Sequence, residues 1–451
     1  MNSEDTSAAV PATGKQAEED LWQRYGAERG VWTESMLIAL ERGLKGNKWF
    51  SLIDKVVSEG TLGMAWAKVQ SNAGACGVDG ITVGYFAKDS ARRLLAVNEQ
   101  IKEGHYQPEP IRRVHIPKLG SAETRPLGIP TVRDRVVQSA IKLVIEPIFE
   151  KEFAPTSYGF RPGRGCKDAL REAQRLLRGG RVHVVDVDIK GYFDNIPHDK
   201  LMALVRQRIA DGKVLGLIEG FLKQGVLEEG IIIDPLTGSP QGGIISPLLA
   251  NIYLNPLDWL LQSLGLESVR YADDIVVLAP DANSAQEALR QISQWMGEAG
   301  LTLHPEKTRI VDMSEAKASF DFLGYRFWRT NAGKLIRLIR PKSQQKLRAS
   351  LRPITKRCNQ HSLEIIIAMI NPKLRGWFGY FKHAHESELQ KMDAWVRMRL
   401  RSILRKRRKG SGRGHGLDHF RWPNRYFEKL GLFSLKHARE DTVSLLRGAK
   451  C

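Results

Sequence analysis

V-R-Y-A-D-D-I-V-V-L, residues 269–278, places two adjacent carboxylates, Asp273 and Asp274, directly before the run Ile275-Val276-Val277-Leu278. A Val/Ile run of that length reads as a buried strand, and the polar break in front of it as a hairpin turn. Two acids at the tip of a buried hairpin repel and desolvate each other unless a cation neutralises them. Oxygen-only ligands favour Mg²⁺. On its own the pair reads first as a solvated turn.

A second stretch changes that reading. Residues 181–194, R-V-H-V-V-D-V-D-I-K-G-Y-F-D, form another strand that carries acids where it should be buried. By the two-residue period Asp186 and Asp188 fall on one face, and Asp194 follows Gly191. Strand acids with no basic partner in the same strand suggest a metal site. A two-metal phosphoryl-transfer centre needs carboxylates from separate strands, so that the ions bracket the attacking and leaving oxygens. Asp188 with Asp273 supplies that pattern if a helix-containing connection brings the strands side by side.

These stretches, with S-P-Q-G-G-I-I-S-P-L-L-A-N at 239–251, together resemble the palm of a reverse transcriptase. The chain is most similar to reverse transcriptases encoded by bacterial group II introns. R-P-L-G-I-P-T-V-R-D-R-V-V-Q (125–138), Y-G-F-R-P-G-R-G-C (158–166), H-P-E-K-T (304–308), F-L-G-Y (322–325) and N-P-K-L-R-G-W-F-G-Y-F (371–381) follow in the family's order. The resemblance implies an α+β right-hand polymerase. Its fingers and ferredoxin-like βαββαβ palm would precede an α-helical thumb, or X domain, and a small basic C-terminal region. The expected division is a disordered tail over 1–30, fingers and palm over 31–335, thumb/maturase domain over 336–400 and a basic DNA-binding region over 401–451, with no HNH endonuclease domain.

Charge supports that layout. The 451 residues carry 69 Lys+Arg against 50 Asp+Glu, a net +19 that points to a polyanionic partner. Residues 341–451 hold 26 basic and 8 acidic residues, whereas the preceding 340 hold 43 and 42. A near-neutral catalytic body with a cationic nucleic-acid-binding end follows. Cys76, Cys166, Cys358 and Cys451 are far apart, without a C-x₂-C pair, which argues against structural zinc and a disulfide framework and fits a reducing compartment. No apolar run approaches a membrane span, and the acidic N-terminus reads as neither secretion signal nor transit peptide. The expected location is the bacterial cytoplasm, in association with the nucleoid when DNA is the substrate.

The resemblance also assigns roles. Asp188 and Asp273 would hold two Mg²⁺ ions (Mn²⁺ as a substitute), assisted by the Ile189 carbonyl, with Asp274 as a supporting carboxylate and Lys307 as a general acid near the leaving pyrophosphate. Lys118 and Arg125 bracket a hairpin. A Lys and an Arg presented together suit a triphosphate, although the bare residues read as a solvated face. Phe193, five residues after Asp188, matches the bulky residue that blocks a ribonucleotide 2′-hydroxyl, and Gln241 the nucleotide-pocket glutamine. Arg161 and Arg164 sit in a basic turn read either as a template contact or as a surface loop.

Beyond residue 327 interleaved cations and aromatics, among them Lys373, Arg375 and Trp377, suit stacking and phosphate contact along a duplex or structured RNA. Residues 397–413, including Arg405, Lys406, Arg407 and Arg408, read as basic on every helical face, which excludes an ordinary amphipathic core helix. The function implied is RNA-directed DNA synthesis together with maturase assistance to intron splicing and mobility. Its partners would be group II intron RNA as template, a DNA target or primer, and dNTPs, with no membrane. Two alternatives stay open: a domesticated relative acting in DNA repair or phage defence, and a non-catalytic RNA-binding splicing factor. The sequence does not decide the oligomeric state.

Overall fold

Continuous runs of Val and Ile form the central strands of the site-bearing sheet, and segments of 3.6-residue period cover it. The structure, a computed structural model, describes residues 21–44, 46–117 and 124–448. In chain order the strands are β1 (Ile111–Pro117), β2 (Thr124–Ile129), β3 (His183–Val187), β4 (Val226–Glu228), β5 (Ile231–Ile233), β6 (Glu267–Tyr271), β7 (Asp274–Ala279), β8 (Arg309–Asp312), β9 (Ser319–Phe322), β10 (Tyr325–Arg329) and β11 (Leu335–Ile339). They form three sheets, ordered β2-β1-β4-β5, β6-β7-β3-β8 and β11-β10-β9.

The second of these sheets places the acids. Strand β3 runs antiparallel to β7 from His183↔Ala279 to Val187↔Ile275, and β6 pairs with β7 from Glu267↔Leu278 to Tyr271↔Asp274. Between β3 and β6 lies the helix Ser246–Ser263, and between β7 and β8 the helix Ala282–Glu298. This is the expected βαββαβ arrangement, with the first strand inside the sheet between the third and fourth. Strand β7 is buried from Ile275 to Ala279, as a central strand covered on both faces must be. The helix Ala282–Glu298 begins where the Asp281 side chain accepts from Ser284 N (2.8 Å). It buries Ala285, Ala288, Ile292 and Met296, the stripe its spacing predicts. Burying an Ile or Met side chain contributes roughly 1.5–3 kcal/mol.

The helix Val132–Glu150, capped by Thr131 through Asp134 N (3.1 Å), is buried along almost all its length. Beside its first turn, the Gly-rich stretch after the helix Glu59–Asn72 is tied down by Arg135, which donates to the carbonyls of Ala73 (3.1 Å) and Ala75 (2.7 Å).

The chain divides into two compact units, Met1–Ile310 and Val311–Cys451. This packing division lies earlier than residue 335, the expected end of fingers and palm, because among the described residues β9, β10 and β11 pair only with one another and pack on the helix Leu363–Phe381. There the Tyr325 hydroxyl donates to Tyr380 O (2.7 Å), and the Tyr325 ring lies 5.1 Å from that of Phe381.

Two expectations are corrected. Residues 21–25, placed by composition in the disordered tail, are helical, with the Tyr25 ring buried; residues 1–20 lie outside the described residues. The helix Glu386–Arg407 is amphipathic after all. It buries Leu389, Met392, Val396, Leu400 and Ile403 at helical spacing, and Arg401 with them. That guanidinium is satisfied by Trp422 O (2.9 Å) and Asn424 Oδ1 (2.8 Å) and lies over the Phe427 ring. No described helix is long and apolar enough to cross a membrane. Cys76, Cys166 and Cys358 are free thiols.

Candidate active site

Asp188 leaves the end of β3 next to the β6–β7 turn that carries Asp273. Its backbone is fixed by the segment leading into β8. His304 N donates to Asp188 O (2.8 Å) and Lys190 N to Thr302 O (2.9 Å), while Asp188 N donates to Thr308 Oγ1 (3.3 Å). These bonds make Ile189↔Leu303 a non-hydrogen-bonded pair, so the Ile189 carbonyl points to the opposite side, that of β7. Lys307 Nζ lies 3.5 Å from Asp188 Oδ1, and Arg309 Nε 3.6 Å from Asp186 Oδ2. The basic partners missing from β3 itself thus come from its neighbour in the sheet.

Burial pushes the Asp273 carboxyl above its usual range. The Asp188 charge adds to the rise, whereas a backbone hydrogen bond, Arg125 and Arg270 oppose it. The register of β3 on β7, Val187 opposite Ile275, places Asp188 beside this turn. Asp274, opposite Tyr271 in the register, is exposed. Among the described residues no group of three or more His, Cys, Asp and Glu side chains gathers as a metal cage. Two carboxylates and one carbonyl still suit a hard divalent cation of the Mg²⁺ type, which keeps waters and substrate oxygens in its remaining positions.

The turn itself is held by residues that sequence reasoning passed over. Ala272 has φ +58°, a left-handed conformation that costs an L-residue about 1–2 kcal/mol. Arg270, fully buried, pays that back by bracing it. Its Nε donates to Asp258 Oδ1 (2.8 Å) and Oδ2 (2.9 Å), and its Nη1 to Asn251 Oδ1 (2.9 Å) and to Ala272 O (3.0 Å). Asn251 Nδ2 in turn donates to Gly159 O (2.7 Å), and a Cβ on Gly159 would lie 2.3 Å from Ala272 N. The available signal was Asp258, an acid that falls on the buried face of the helix Ser246–Ser263 and so requires a cation.

Of the residues expected at the nucleotide, Phe193 and Gln241 line one cavity of about 440 Å³, with Arg113, Gly128, Asp194 and Ser239, whereas Arg125 does not line it. Arg125 Nε donates to Gln241 Oε1 (3.0 Å), and Gly128 N to Gln241 O (2.6 Å), so the β1–β2 hairpin and the Ser-Pro-Gln-Gly-Gly loop are joined. Gly242 has φ +120°, and a Cβ there would lie 2.1 Å from Gly128 O; only glycine permits this approach. Ser239 N donates to Phe193 O (2.7 Å), and the half-buried Phe193 ring packs edge-on to Tyr192 at 5.5 Å. Lys118 lies outside the described residues.

The nucleic-acid assignments divide. Arg161 is not available to template: it is buried, donating through Nε and Nη2 to Glu150 and through Nη1 to the carbonyls of Ala154 (2.6 Å) and Ser157 (2.8 Å). Arg164 is half-buried, donates to Pro155 O (2.6 Å) and lies over Tyr158. Both clamp the turn they stand in. Arg405 is likewise engaged, with Asp418 Oδ2 (2.7 Å) and Ser411 O (2.7 Å). Lys373, Arg375, Lys406, Arg407 and Arg408 are exposed; Arg375 lies over Phe433, and Arg407 donates to His361 O. Trp377 is half-buried, 4.8 Å from Phe381.

Residues 116–327 match the family model for reverse transcriptase (RNA-dependent DNA polymerase), and residues 344–422 that for the group II intron maturase-specific domain. Over 232 residues the chain is 38% identical to "Group II intron-encoded protein LtrA" of Lactococcus lactis subsp. cremoris, covering 51% of this chain and 38% of that protein. "Protein YkfC" of Escherichia coli (strain K12) is 35% identical over 292 residues, 56% of this chain and 76% of its own length. The "Uncharacterized 91 kDa protein in cob intron" of Schizosaccharomyces pombe is 31% identical over 318 residues, 57% of this chain and 39% of that protein. The match to LtrA thus spans about two fifths of that relative's length.

Proposed function

This chain belongs to the family of group II intron-encoded reverse transcriptase and maturase proteins, and from that premise we propose that it copies RNA into DNA and binds intron RNA to assist splicing and mobility. The observation that carries the polymerase reading is the sheet register, Val187 opposite Ile275 and Tyr271 opposite Asp274, which sets Asp188 beside the turn that carries Asp273, with the Arg125–Gln241 bridge on the fingers side.

Reverse transcriptases work with a divalent metal ion. In our reading Asp188, Asp273 and the Ile189 carbonyl would hold two Mg²⁺ ions, with Mn²⁺ as a substitute, and Asp274 would support them. When bound, such ions offset the charge that develops on the attacking and leaving oxygens of an in-line displacement at the α-phosphorus. The protein groups do the positioning. Arg125, oriented by Gln241, offers a planar fork to the triphosphate, with Lys118 as a second cation. Phe193 forms the wall against the sugar and excludes a 2′-hydroxyl, which selects dNTPs. Lys307 holds a proton at Nζ for the leaving pyrophosphate. The exposed cations Lys373, Arg375, Lys406, Arg407 and Arg408 contact phosphates of template RNA, intron RNA and DNA.

Primer extension on an RNA template tests this reading, comparing dNTPs with rNTPs and wild type with Asp188→Asn and Asp273→Asn. Extension with dNTPs alone, lost in both variants, is the expected result. Salt-sensitive RNA binding with no extension by wild type would replace it with a splicing factor that performs no synthesis.

A further inference from the structure

Exposed apolar side chains on a protein surface are ordinarily scattered. Leu417 and Phe420 are paired instead. They are 78% and 84% exposed, three residues apart at the short helix Asp418–Arg421, and so project on one side of it. Their exposure is built into the fold. Asp418 is buried and accepts from Arg405 Nη1 (2.7 Å) and from His415 N (3.2 Å). Gly414 N donates to Ser402 Oγ (3.1 Å), and a Cβ on Gly414 would lie 2.5 Å from the Arg401 Cβ. On the far side Trp422 is buried, with its carbonyl held by Arg401. The segment is thus clamped to the helix Glu386–Arg407 before and after the two apolar residues.

Residues 405–425 carry eight Lys and Arg and a single acid, Asp418, which is engaged by Arg405. The segment that carries Phe420 is therefore strongly cationic and complements a polyanion. A planar aromatic ring among such cations fits the face of a nucleobase, with the cations on the flanking phosphates. In an A-form duplex the base faces are stacked and the deep groove is closed to side chains, so an apolar tip engages bases that are unpaired. Both residues lie within 344–422, the segment that matches the maturase-specific domain.

We infer that Leu417 and Phe420 form a stacking wedge for an unpaired base in a loop or bulge of structured RNA; the inference rests on the reading of this chain as an RNA-binding maturase. The test uses the full chain and an RNA hairpin with one bulged 2-aminopurine, beside the same hairpin without the bulge. Wild type should bind the bulged hairpin about tenfold more tightly and quench its fluorescence. Phe420→Ala should lose both the preference and the quenching, with an unchanged melting temperature and salt slope, and Phe420→Trp should keep them. Retention of both by Phe420→Ala would overturn the wedge, as would a wild-type preference for single-stranded DNA or for anionic phospholipid vesicles. If wild type binds neither hairpin, the RNA-binding reading itself fails, and the wedge with it.

Discussion

Replacing Arg270 by Met should separate the stability of the catalytic turn from its geometry. The guanidinium and the Asp258 carboxylate are 0% and 1% exposed, so the substitution leaves a buried anion without its cation. Loss of one partner from such a pair costs about 3–5 kcal/mol, a large part of the 5–15 kcal/mol typical of a domain. Replacing the pair together, as Arg270→Met with Asp258→Leu, should recover most of that loss, because apolar residues of similar volume need no desolvation. The midpoint of urea unfolding measures both steps. Activity should not recover in parallel. The Ala272 carbonyl loses its donor in both variants, and the left-handed turn that aims Asp273 is no longer braced. Single-turnover primer extension by the double variant should stay well below wild type. A cost under about 1 kcal/mol for Arg270→Met, or wild-type extension by the double variant, would refute this account of the turn.

Arg161→Ala should lower stability by about 3–5 kcal/mol, since it strands the buried Glu150, while the salt dependence of RNA binding stays unchanged. Urea unfolding and a salt titration check the two halves. Phe193→Val should raise rNTP incorporation relative to dNTP on the order of tenfold or more, read as the ratio of kcat/KM values in primer extension. Asp134 gives a pH signature: burial raises its carboxyl above the usual range, against hydrogen bonds from the Tyr106 hydroxyl (2.6 Å) and Glu109 N (3.1 Å). The folded state then holds this proton more tightly than the unfolded chain. The stability of wild type relative to Asp134→Asn should therefore increase as pH falls through the raised value toward the ordinary Asp range, and an opposite slope would exclude the effect.

Much of the first unit is legible from local pattern. The Val/Ile runs give β3 and β7, and the acids that interrupt them give Asp188 and Asp273, because a buried strand tolerates a carboxylate only for a reason. What sequence pattern hides is pairing across distance. Arg270 meets Asp258 12 residues away on a helix, and Arg161 meets Glu150 11 residues away, so each looked in isolation like flank or free cation. The helix Glu386–Arg407 misled for a related reason. Its many cations obscured an apolar stripe of ordinary width, and Arg401 lies on the buried side only because Trp422 O and Asn424 are there to receive it. The earlier start of the second unit could not be read from composition either, since it depends on which strands β10 chooses as partners.

Charge layout also predicts where salt sensitivity should arise. In the first unit the acids of the central sheet have cations within about one side chain's reach, Asp186 with Arg309 and Asp188 with Lys307. The excess lies beyond residue 340, where Lys406 and Arg408 are exposed and form no ion pair with any other described residue. Each phosphate contact removed should lower the slope of log affinity against log salt by about 0.7–0.9. Lys406→Gln with Arg408→Gln should therefore reduce the slope for RNA by roughly 1.4–1.8, with little change in the KM for dNTP, whose proposed contacts are Arg125 and Gln241. An unaltered slope, or a KM that moves with it, would place the polyanion on a different face of the second unit.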